Sequence, residues 1–219
     1  MEGRLNNAQA RLSVRFAMNR LRFLLLAALL PVAACTTTSQ VSLDYVPATG
    51  QMRPGPPEFS VREFSDQRGV EPLLLGTVRT QVGTPIERVQ TRVPVAQVVT
   101  NAFAYGLEAR GMLSQRGTSR YVITGEVQEL YLQMLVRPYA RAKVRLTVLD
   151  SSSGQIVHSE IFQGDRQGPA YVPGSGSPVP MLRDLASGAL QDAVDRALDD
   201  PVLRNRTATT SPRYEPGML

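Results

Sequence analysis

Between residues 58 and 206 the hydrophobic positions follow two periods, one typical of helices and one typical of strands. Apolar residues recur every three or four positions from near Pro94 to Gly111, and again from about Met181 to Leu198. This spacing predicts two amphipathic helices. The clearest strand is Ala140–Val148, in which small and branched apolar residues alternate with polar ones, as expected when one sheet face is buried.

Several further segments have the alternation of strands, and they set the predicted fold class. They are Phe59–Ser65, Leu73–Thr80, Ile86–Arg92, Tyr121–Met134 and Gln155–Gln163. Within the Tyr121–Met134 strand the apolar phase changes, which predicts a β-bulge near Gln128 or Glu129. Two amphipathic helices each need an apolar surface to cover. We therefore predict a single α+β domain over residues 58–206, with a mostly antiparallel sheet of about five strands and both helices on one face.

The segments on either side of this domain are rich in Thr, Ser, Pro and Gly. Residues 35–57 predict a flexible tether, within which Val41–Val46 could pair as an edge strand. Residues 207–219 predict a disordered tail. The loop 164–180 is longer than a simple connection requires, and Tyr171 within it is a candidate protein contact.

The first 34 residues have the layout of a secretory signal peptide. Arg20 and Arg22 precede an apolar run, and small residues follow it. Translation is expected to start at Met18, because residues 1–17 are polar and do not belong to this layout. The apolar stretch Phe23–Ala34 has 12 residues, whereas a membrane-spanning helix needs about 20. A cleaved leader is therefore predicted in place of a permanent membrane helix.

The leader ends in Val32-Ala33-Ala34-Cys35, which resembles the lipobox of bacterial lipoproteins. In that class the cysteine thiol receives a diacylglycerol, the leader is cut before the cysteine, and the new amino group is acylated. Cys35 is thus the predicted lipid attachment site, and a free cysteine after an ordinary cleaved signal is the alternative. Thr36 stands where inner-membrane lipoproteins usually carry Asp, so the resemblance favours the outer membrane, on its periplasmic side.

The chain has one cysteine and one histidine, and this count excludes several kinds of site. An intramolecular disulfide and a structural zinc site of four nitrogen or sulfur ligands are both impossible. A Ser-His or Cys-His mechanism would have to use His158, which we predict to be a sheet-surface residue beside Glu160. We therefore predict no metal, no cofactor other than the lipid on Cys35, and no enzymatic activity.

The net charge of +5 comes mostly from the leader. Residues 1–34 hold five arginines and one acid, so the rest of the chain carries 19 bases and 18 acids. This near-neutral balance argues against a nucleic-acid partner. Arg141, Lys143 and Arg145, with Arg137 nearby, form a candidate basic row on one sheet face. The row would either contact an anionic partner or be an ordinary solvated strand face.

The order of motifs resembles the YajG-like family of bacterial envelope lipoproteins. The resemblance covers roughly residues 58–203 and rests on the lipobox together with Asp66-Gln67-Arg68, Leu75-Gly76-Thr77-Val78, Glu108-Ala109-Arg110-Gly111, and the segments Val122–Tyr131, Arg141–Val148 and Leu182–Val194. It implies an outer-membrane lipoprotein that faces the periplasm. The family supplies no catalytic residues to transfer to this chain.

These observations leave three functional interpretations. The preferred one is a non-enzymatic lipoprotein, anchored to the membrane, that binds a protein or assembly of the envelope. The second is an accessory of lipid or lipopolysaccharide transport, which would need an apolar groove. The third is an envelope hydrolase that uses His158.

Overall fold

The computed structural model describes residues 37–47, 55–80, 82–114, 119–134, 137–172 and 174–208. Thr36–Leu219 form one compact unit, and a second unit, Met1–Cys35, lies outside the described residues. The predicted signal peptide, its cleavage motif, Cys35 and residues 209–219 of the predicted tail therefore remain predictions. None of the helices in the described ranges is long and apolar enough to cross a membrane.

The described residues form eight strands and three helices. The strands are β1 (Thr37–Val41), β2 (Phe59–Val61), β3 (Ser65–Asp66), β4 (Leu74–Arg79), β5 (Pro85–Thr91), β6 (Tyr121–Met134), β7 (Pro138–Asp150) and β8 (Ile156–Gln167). The helices are α1 (Val95–Ala109), α2 (Val179–Leu198) and α3 (Pro201–Ala208).

The strands join in one mixed sheet with the order β1-β5-β4-β6-β7-β8. β6 pairs with β7 along its whole length, and β2, β3 and β4 each pair with successive parts of β6 in parallel. The α+β prediction is confirmed, but the sheet of about five mostly antiparallel strands is wrong. The structure divides the predicted strand Phe59–Ser65 into β2 and β3 and adds β1. These strands have two to five residues, and each pairs in parallel with a partner distant in sequence, so no local period indicates the pairing.

One face of the sheet forms the hydrophobic core. On β7 the residues at even positions from Ala140 to Val148 are buried, while the residues between them are partly exposed. α1 and α2 contact each other and both contact β6, and Phe103 of α1 stacks on Phe64 at 4.8 Å between ring centroids. The alternation of β7 is therefore explained by a helical layer that covers only one side of the sheet.

Several local predictions agree with the structure. The register of β6 and β7 shifts between Val127 and Glu129, which confirms the predicted bulge. The bounds of α1 and α2 agree with the two predicted helices to within two residues. Helix α3 is an addition, and Asp200 explains its start, because a carboxylate oxygen accepts the backbone N–H of Leu203 at 2.9 Å.

The N-terminal strand lies inside the segment predicted as a tether. β1 pairs in parallel with β5, with Thr37 opposite Glu87 and Val41 opposite Thr91. The sequence placed a possible edge strand at Val41–Val46, whereas the structure has it at Thr37–Val41. This part of the predicted tether is thus a strand of the sheet, and only Thr36 separates it from Cys35.

Candidate functional site

The three basic residues predicted to form a row do project from the same face of β7, but each has an acidic partner. Arg141 Nε lies 2.7 Å from Asp165, Arg145 Nε lies 3.3 Å from Glu126, and Lys143 Nζ lies 3.9 Å from Glu129. Their side chains are about one-third exposed. The row is therefore a charge-balanced surface of paired ions across three neighbouring strands, and it presents no excess of positive charge.

Asp165 on β8 accepts hydrogen bonds from three side chains of this surface. Burial disfavours its charged form, but hydrogen bonds from Gln163, Tyr139 and Arg141 dominate and lower the pKa of Asp165 to about 2. The pKa of Tyr139 is raised to about 12 by burial and by the bond to Asp165. The carboxylate therefore stays ionised at any physiological pH and holds this end of β8 against β7.

Tyr171 lies in the loop that follows β8. Its ring packs partly against the hydrophobic core, and its hydroxyl donates a hydrogen bond to the backbone carbonyl of Gly176. The neighbouring Val172 is the more exposed residue, with 67% of its surface accessible. Tyr171 thus serves as an internal support of its loop, and Val172 is the side chain available for contact.

A buried ionic cluster joins the N-terminal segment to the helices, and no motif in the sequence predicts it. Arg110, at the end of α1, is only 2% exposed. Its guanidinium donates to Asp195 at 3.0 Å, to Asp199 at 2.7 Å and to the hydroxyl of Tyr45 at 3.2 Å. Tyr45 in turn donates to Asp195 at 2.5 Å, and Arg204 of α3 pairs with Asp199 at 2.7 Å. We call these five residues the Arg110 cluster.

The Arg110 cluster shifts the pKa of Asp199 and of Tyr45. Burial opposes ionisation of Asp199, but the hydrogen bonds and charges of Arg110 and Arg204 hold the pKa of its carboxyl below the usual 3.8. Burial and the bond to Asp195 raise the pKa of Tyr45 well above its usual range. Asp199 therefore stays ionised at neutral pH, and the hydrogen bonds that join Tyr45 to Asp195 and Arg110 fix the segment after β1 to the body.

An apolar groove of about 600 Å³ lies between this N-terminal segment and α1. Leu43 and Val46 contribute from one side, and Val98 and Tyr105 of α1 from the other. Val46 and Tyr105 are more than half exposed. The volume falls in the range of small-molecule sites, about 300–1,000 Å³. The groove is a candidate ligand site, although it lies beside α1 and not between the sheet and the helices.

His158 is buried, and its prediction as a sheet-surface residue is wrong. It is 8% exposed and points to the helical side of β8. Its Nε2 atom has no hydrogen-bond partner. Nε2 lies 3.9 Å from a carboxylate oxygen of Glu160. His158, Glu160 and Asp200 each offer one potential ligand atom, and these three atoms lie within 4.8 Å of one another. A nitrogen and two carboxylates at this spacing form a candidate divalent-cation site.

The serines near His158 in sequence do not surround it. Ser159 faces the other side of β8, where its hydroxyl lies 3.3 Å from that of Thr147. Ser152 and Ser153 bond to Asp150 in the β7–β8 turn. In the described residues, neither arrangement places a serine hydroxyl against the imidazole. The neighbours of His158 are carboxylates, and none of these serines is positioned as a nucleophile.

One end of the sheet contains Thr37, which follows the predicted lipid site Cys35 by two residues. β1 is parallel to β5, β4 and β5 form a hairpin, and Val78 of β4 pairs with Met134 of β6. Thr37, Val82 and the start of β7 therefore lie at the same end, which we call the anchor end. It exposes Val82 (89%) and Ile86 (46%).

Comparison with solved structures identifies the class of fold. The chain is similar to the crystal structure of a protein from Xanthomonas campestris described as a DUF330 protein, with a TM-score of 0.57 and 15% identity over 80% of this chain and 100% of that one. At this identity the likeness establishes a shared fold.

Weaker similarities extend to other bacterial proteins. They include the PelC dodecamer of Paraburkholderia phytofirmans (TM-score 0.38, 17% identity, 71% of this chain and 93% of that one) and a lipoprotein of Neisseria meningitidis (TM-score 0.27, 11% identity, 55% and 89%). No family model matches the sequence, and no curated protein matches it.

Proposed function

We propose that this chain is a lipid-anchored lipoprotein of the bacterial envelope, a YajG-like protein held through Cys35 on the periplasmic side of the outer membrane. The observation that carries the proposal is the position of β1, which begins at Thr37. Two residues of fully extended chain span at most about 7 Å. A lipid on Cys35 would thus hold the folded body directly at the membrane surface.

The anchor end supports this arrangement. Val82 at the β4–β5 turn and Ile86 at the start of β5 are exposed apolar side chains at the same sheet end as Thr37. The loop with Val172 also begins at this end, because Gly168 donates to the backbone carbonyl of Pro138 at 2.9 Å. Apolar side chains next to a lipid anchor gain free energy by entering the interface of the bilayer.

The role that we propose for the body is non-enzymatic binding of another envelope protein. The charge-balanced face of β7 favours this partner over a polyanion, because Asp165, Glu126 and Glu129 neutralise its basic residues. Complementary charged pairs contribute specificity in protein interfaces. A lipid phosphate surface or nucleic acid would instead require excess positive charge, which neither this face nor the chain after residue 34 provides.

The proposed orientation is testable by fluorescence, because the chain has no tryptophan. Full-length protein with Val82→Trp is reconstituted into phospholipid vesicles with or without brominated acyl chains. We expect its emission to shift to the blue and to be quenched by bromine. The matched control is Ile156→Trp, because Ile156 is 64% exposed and lies at the opposite end of the sheet. Equal or reversed quenching contradicts the orientation, and failure of both proteins to associate with vesicles contradicts the anchor.

A second function, the binding of an acyl chain in the service of lipid transport, is favoured by the groove beside α1. Leu43, Val46 and Val98 form an apolar lining there. Lipid extraction and mass spectrometry of the purified protein should then find one lipid beyond any bound to Cys35, and Leu43→Arg should remove it. Val202→Arg, at a residue of α3 that does not line the groove, is the control. A wild-type protein without extra lipid would exclude this function.

A further inference from the structure

We infer that His158, Glu160 and Asp200 form a binding site for a divalent transition-metal ion, with Zn²⁺ as the best fit. This site goes beyond the proposed anchoring function and does not depend on it. It lies where the edge strand β8 meets the turn between α2 and α3. A bound ion would therefore connect the last strand of the sheet to the C-terminal helices.

The backbone already places the three side chains together. His158 and Glu160 are two residues apart on β8, so both side chains point to the same face of the strand. Asp200 reaches this face from the turn after α2, and its orientation is fixed because it caps α3 through the backbone N–H of Leu203. A carboxylate has two oxygens, so this hydrogen bond leaves the second oxygen available as a ligand.

The unpartnered imidazole nitrogen is the observation that points to a ligand. Only 8% of the His158 surface is exposed, so 92% is buried, and its Nε2 has no hydrogen-bond partner. Buried polar atoms are nearly always hydrogen-bonded, and an exception calls for an explanation. A metal ion bound to Nε2 would supply the missing partner, and the two nearby carboxylates would balance its charge.

The donor set and the distances select the kind of ion. Imidazole nitrogen with carboxylate oxygens suits Zn²⁺ and its first-row neighbours, whereas Mg²⁺ prefers oxygen ligands alone. Ligands about 2.0–2.2 Å from a tetrahedral Zn²⁺ lie about 3.3 Å from one another. The 3.9 Å between Nε2 and the Glu160 oxygen is close to this value, and the Glu160 side chain, which is 53% exposed, is free to move the remaining distance.

The sequence does not reveal this site, because one histidine and one cysteine exclude only sites with four nitrogen or sulfur ligands. Three protein ligands leave the fourth position of Zn²⁺ to water or to another donor. Neither Glu160 nor Asp200 stands out in a chain with 19 acids. Asp200 is also 42 positions from His158, so no local spacing indicates their contact.

The test uses full-length protein with a histidine-free purification tag, stripped with chelator and titrated with Zn²⁺. We expect one Zn²⁺ per chain by calorimetry, a higher melting temperature, and no response to Mg²⁺. Because His158 is the only histidine, a ¹⁵N-histidine spectrum reports on this imidazole alone. Its Nε2 resonance should move when one equivalent of Zn²⁺ is added.

Substitutions then distinguish Zn²⁺ binding by these three residues from binding by scattered surface acids. His158→Gln should lower Zn²⁺ affinity at least 100-fold, and Glu160→Gln and Asp200→Asn at least tenfold. Asparagine is also a good helix cap, so Asp200→Asn preserves α3. Asp184→Asn, at an exposed acid of α2, is the control and should bind as wild type does. Folding of each variant is checked by circular dichroism in chelator. If His158→Gln does not fold, the other two variants decide.

The inference is overturned by any of three results. Wild type could fail to bind Zn²⁺ at micromolar concentration, the Nε2 resonance could stay unmoved, or the affinity could remain unchanged in the Glu160→Gln and Asp200→Asn variants. The last result would assign the binding to other surface carboxylates.

Discussion

Arg110 is the charged side chain most deeply embedded in the described part of the chain, and it connects four segments. It reaches Tyr45 in the N-terminal segment, Asp195 in α2 and Asp199 before α3, while it belongs to the end of α1 itself. Removing one partner of a buried ionic pair leaves the other charges without compensation. We therefore regard Arg110 as the residue that fixes the N-terminal segment, and any lipid attached before it, to the folded body.

The first prediction concerns the dependence of stability on pH. The folded pKa of Asp199 lies below its usual 3.8, so its ionisation stabilises the native state above that value and this contribution is lost as pH falls. In wild type the free energy of unfolding should therefore decrease between about pH 5 and pH 2. Arg110→Met should cost about 3 kcal/mol at pH 7 and should show a shallower decrease, as measured by urea unfolding.

The control for this prediction is Arg183→Met. Arg183 is an exposed residue whose ion pair is with its own neighbour, Asp184. Surface pairs of this kind contribute about 0–1 kcal/mol, so the variant should keep the wild-type pH profile. An Arg110→Met protein with wild-type stability and an unchanged acid slope would show that the cluster contributes little.

The burial of Arg110 could have been predicted, whereas that of His158 could not. The apolar stripe of α1 includes Phe103, Gly106 and Leu107, and the helical period continues it to position 110. His158 lies on a strand whose apolar residues do not alternate, since Ile156 and Ile161 are exposed while Phe162 is buried. The sequence pattern of β8 therefore does not identify the inward face, which depends on where α2 packs.

Helix α2 packs unusually close to β8, and a glycine makes this possible. A Cβ atom on Gly164 would lie 2.0 Å from the backbone carbonyl oxygen of Ala189 and 2.9 Å from Cβ of Asp192. Neither atom can move without displacing the helix. The separation between the edge strand and α2 is thus set by the absence of a side chain at position 164, and the same separation brings Asp200 toward His158.

The second prediction tests this contact. Gly164→Ala should destabilise the protein by about 1–3 kcal/mol, because overpacking forces the helix outward, and it should be measured by urea unfolding. The matched control is Gly188→Ala in α2, where the new Cβ would lie 3.4 Å from the flexible Arg166 side chain. Alanine favours helices by up to about 1 kcal/mol over glycine, so the control should be neutral or more stable. Equal destabilisation by both substitutions would contradict this explanation.

The long elements were predictable from sequence, whereas the division and the parallel pairing of the shortest strands were not. β6, β7, α1 and α2 each have 13 or more residues, enough for a period to be visible. β2 and β3 have three and two residues and pair in parallel with β6, about 60 positions further along the chain. The alternation of Phe59–Ser65 predicts one strand there. Its division into β2 and β3, and their parallel pairing with a distant partner, leave no signal in the local sequence.

The arrangement of the whole molecule follows from the edge strand at its N-terminus. β1 places the start of the described chain at the end of the sheet that also exposes Val82 and Ile86. The proposed lipid, the exposed Val82 and Ile86 and the first strand would then form one membrane-facing surface. The charge-balanced face of β7 and the opposite end of the sheet would remain accessible to a partner in the periplasm.

The sequence predicted the anchoring class but not this geometry. The lipobox indicates where a lipid would be attached, and the composition of residues 36–57 indicates a flexible link. The structure instead has a strand from Thr37 and a tyrosine, Tyr45, bonded to Asp195 and Arg110. Composition reports average flexibility, and it does not reveal a parallel pairing with β5 about 50 positions away.

Mass spectrometry of the N-terminal peptide, from protein purified out of native membranes, is the decisive measurement. We expect the chain to begin at Cys35 with a diacylglycerol on its thiol and an acyl group on its amine, and we expect Cys35→Ser protein to lack both and to leave the membrane fraction. An unmodified Cys35, or a mature N-terminus upstream of it, would contradict the proposal that a lipid holds this fold on the bilayer.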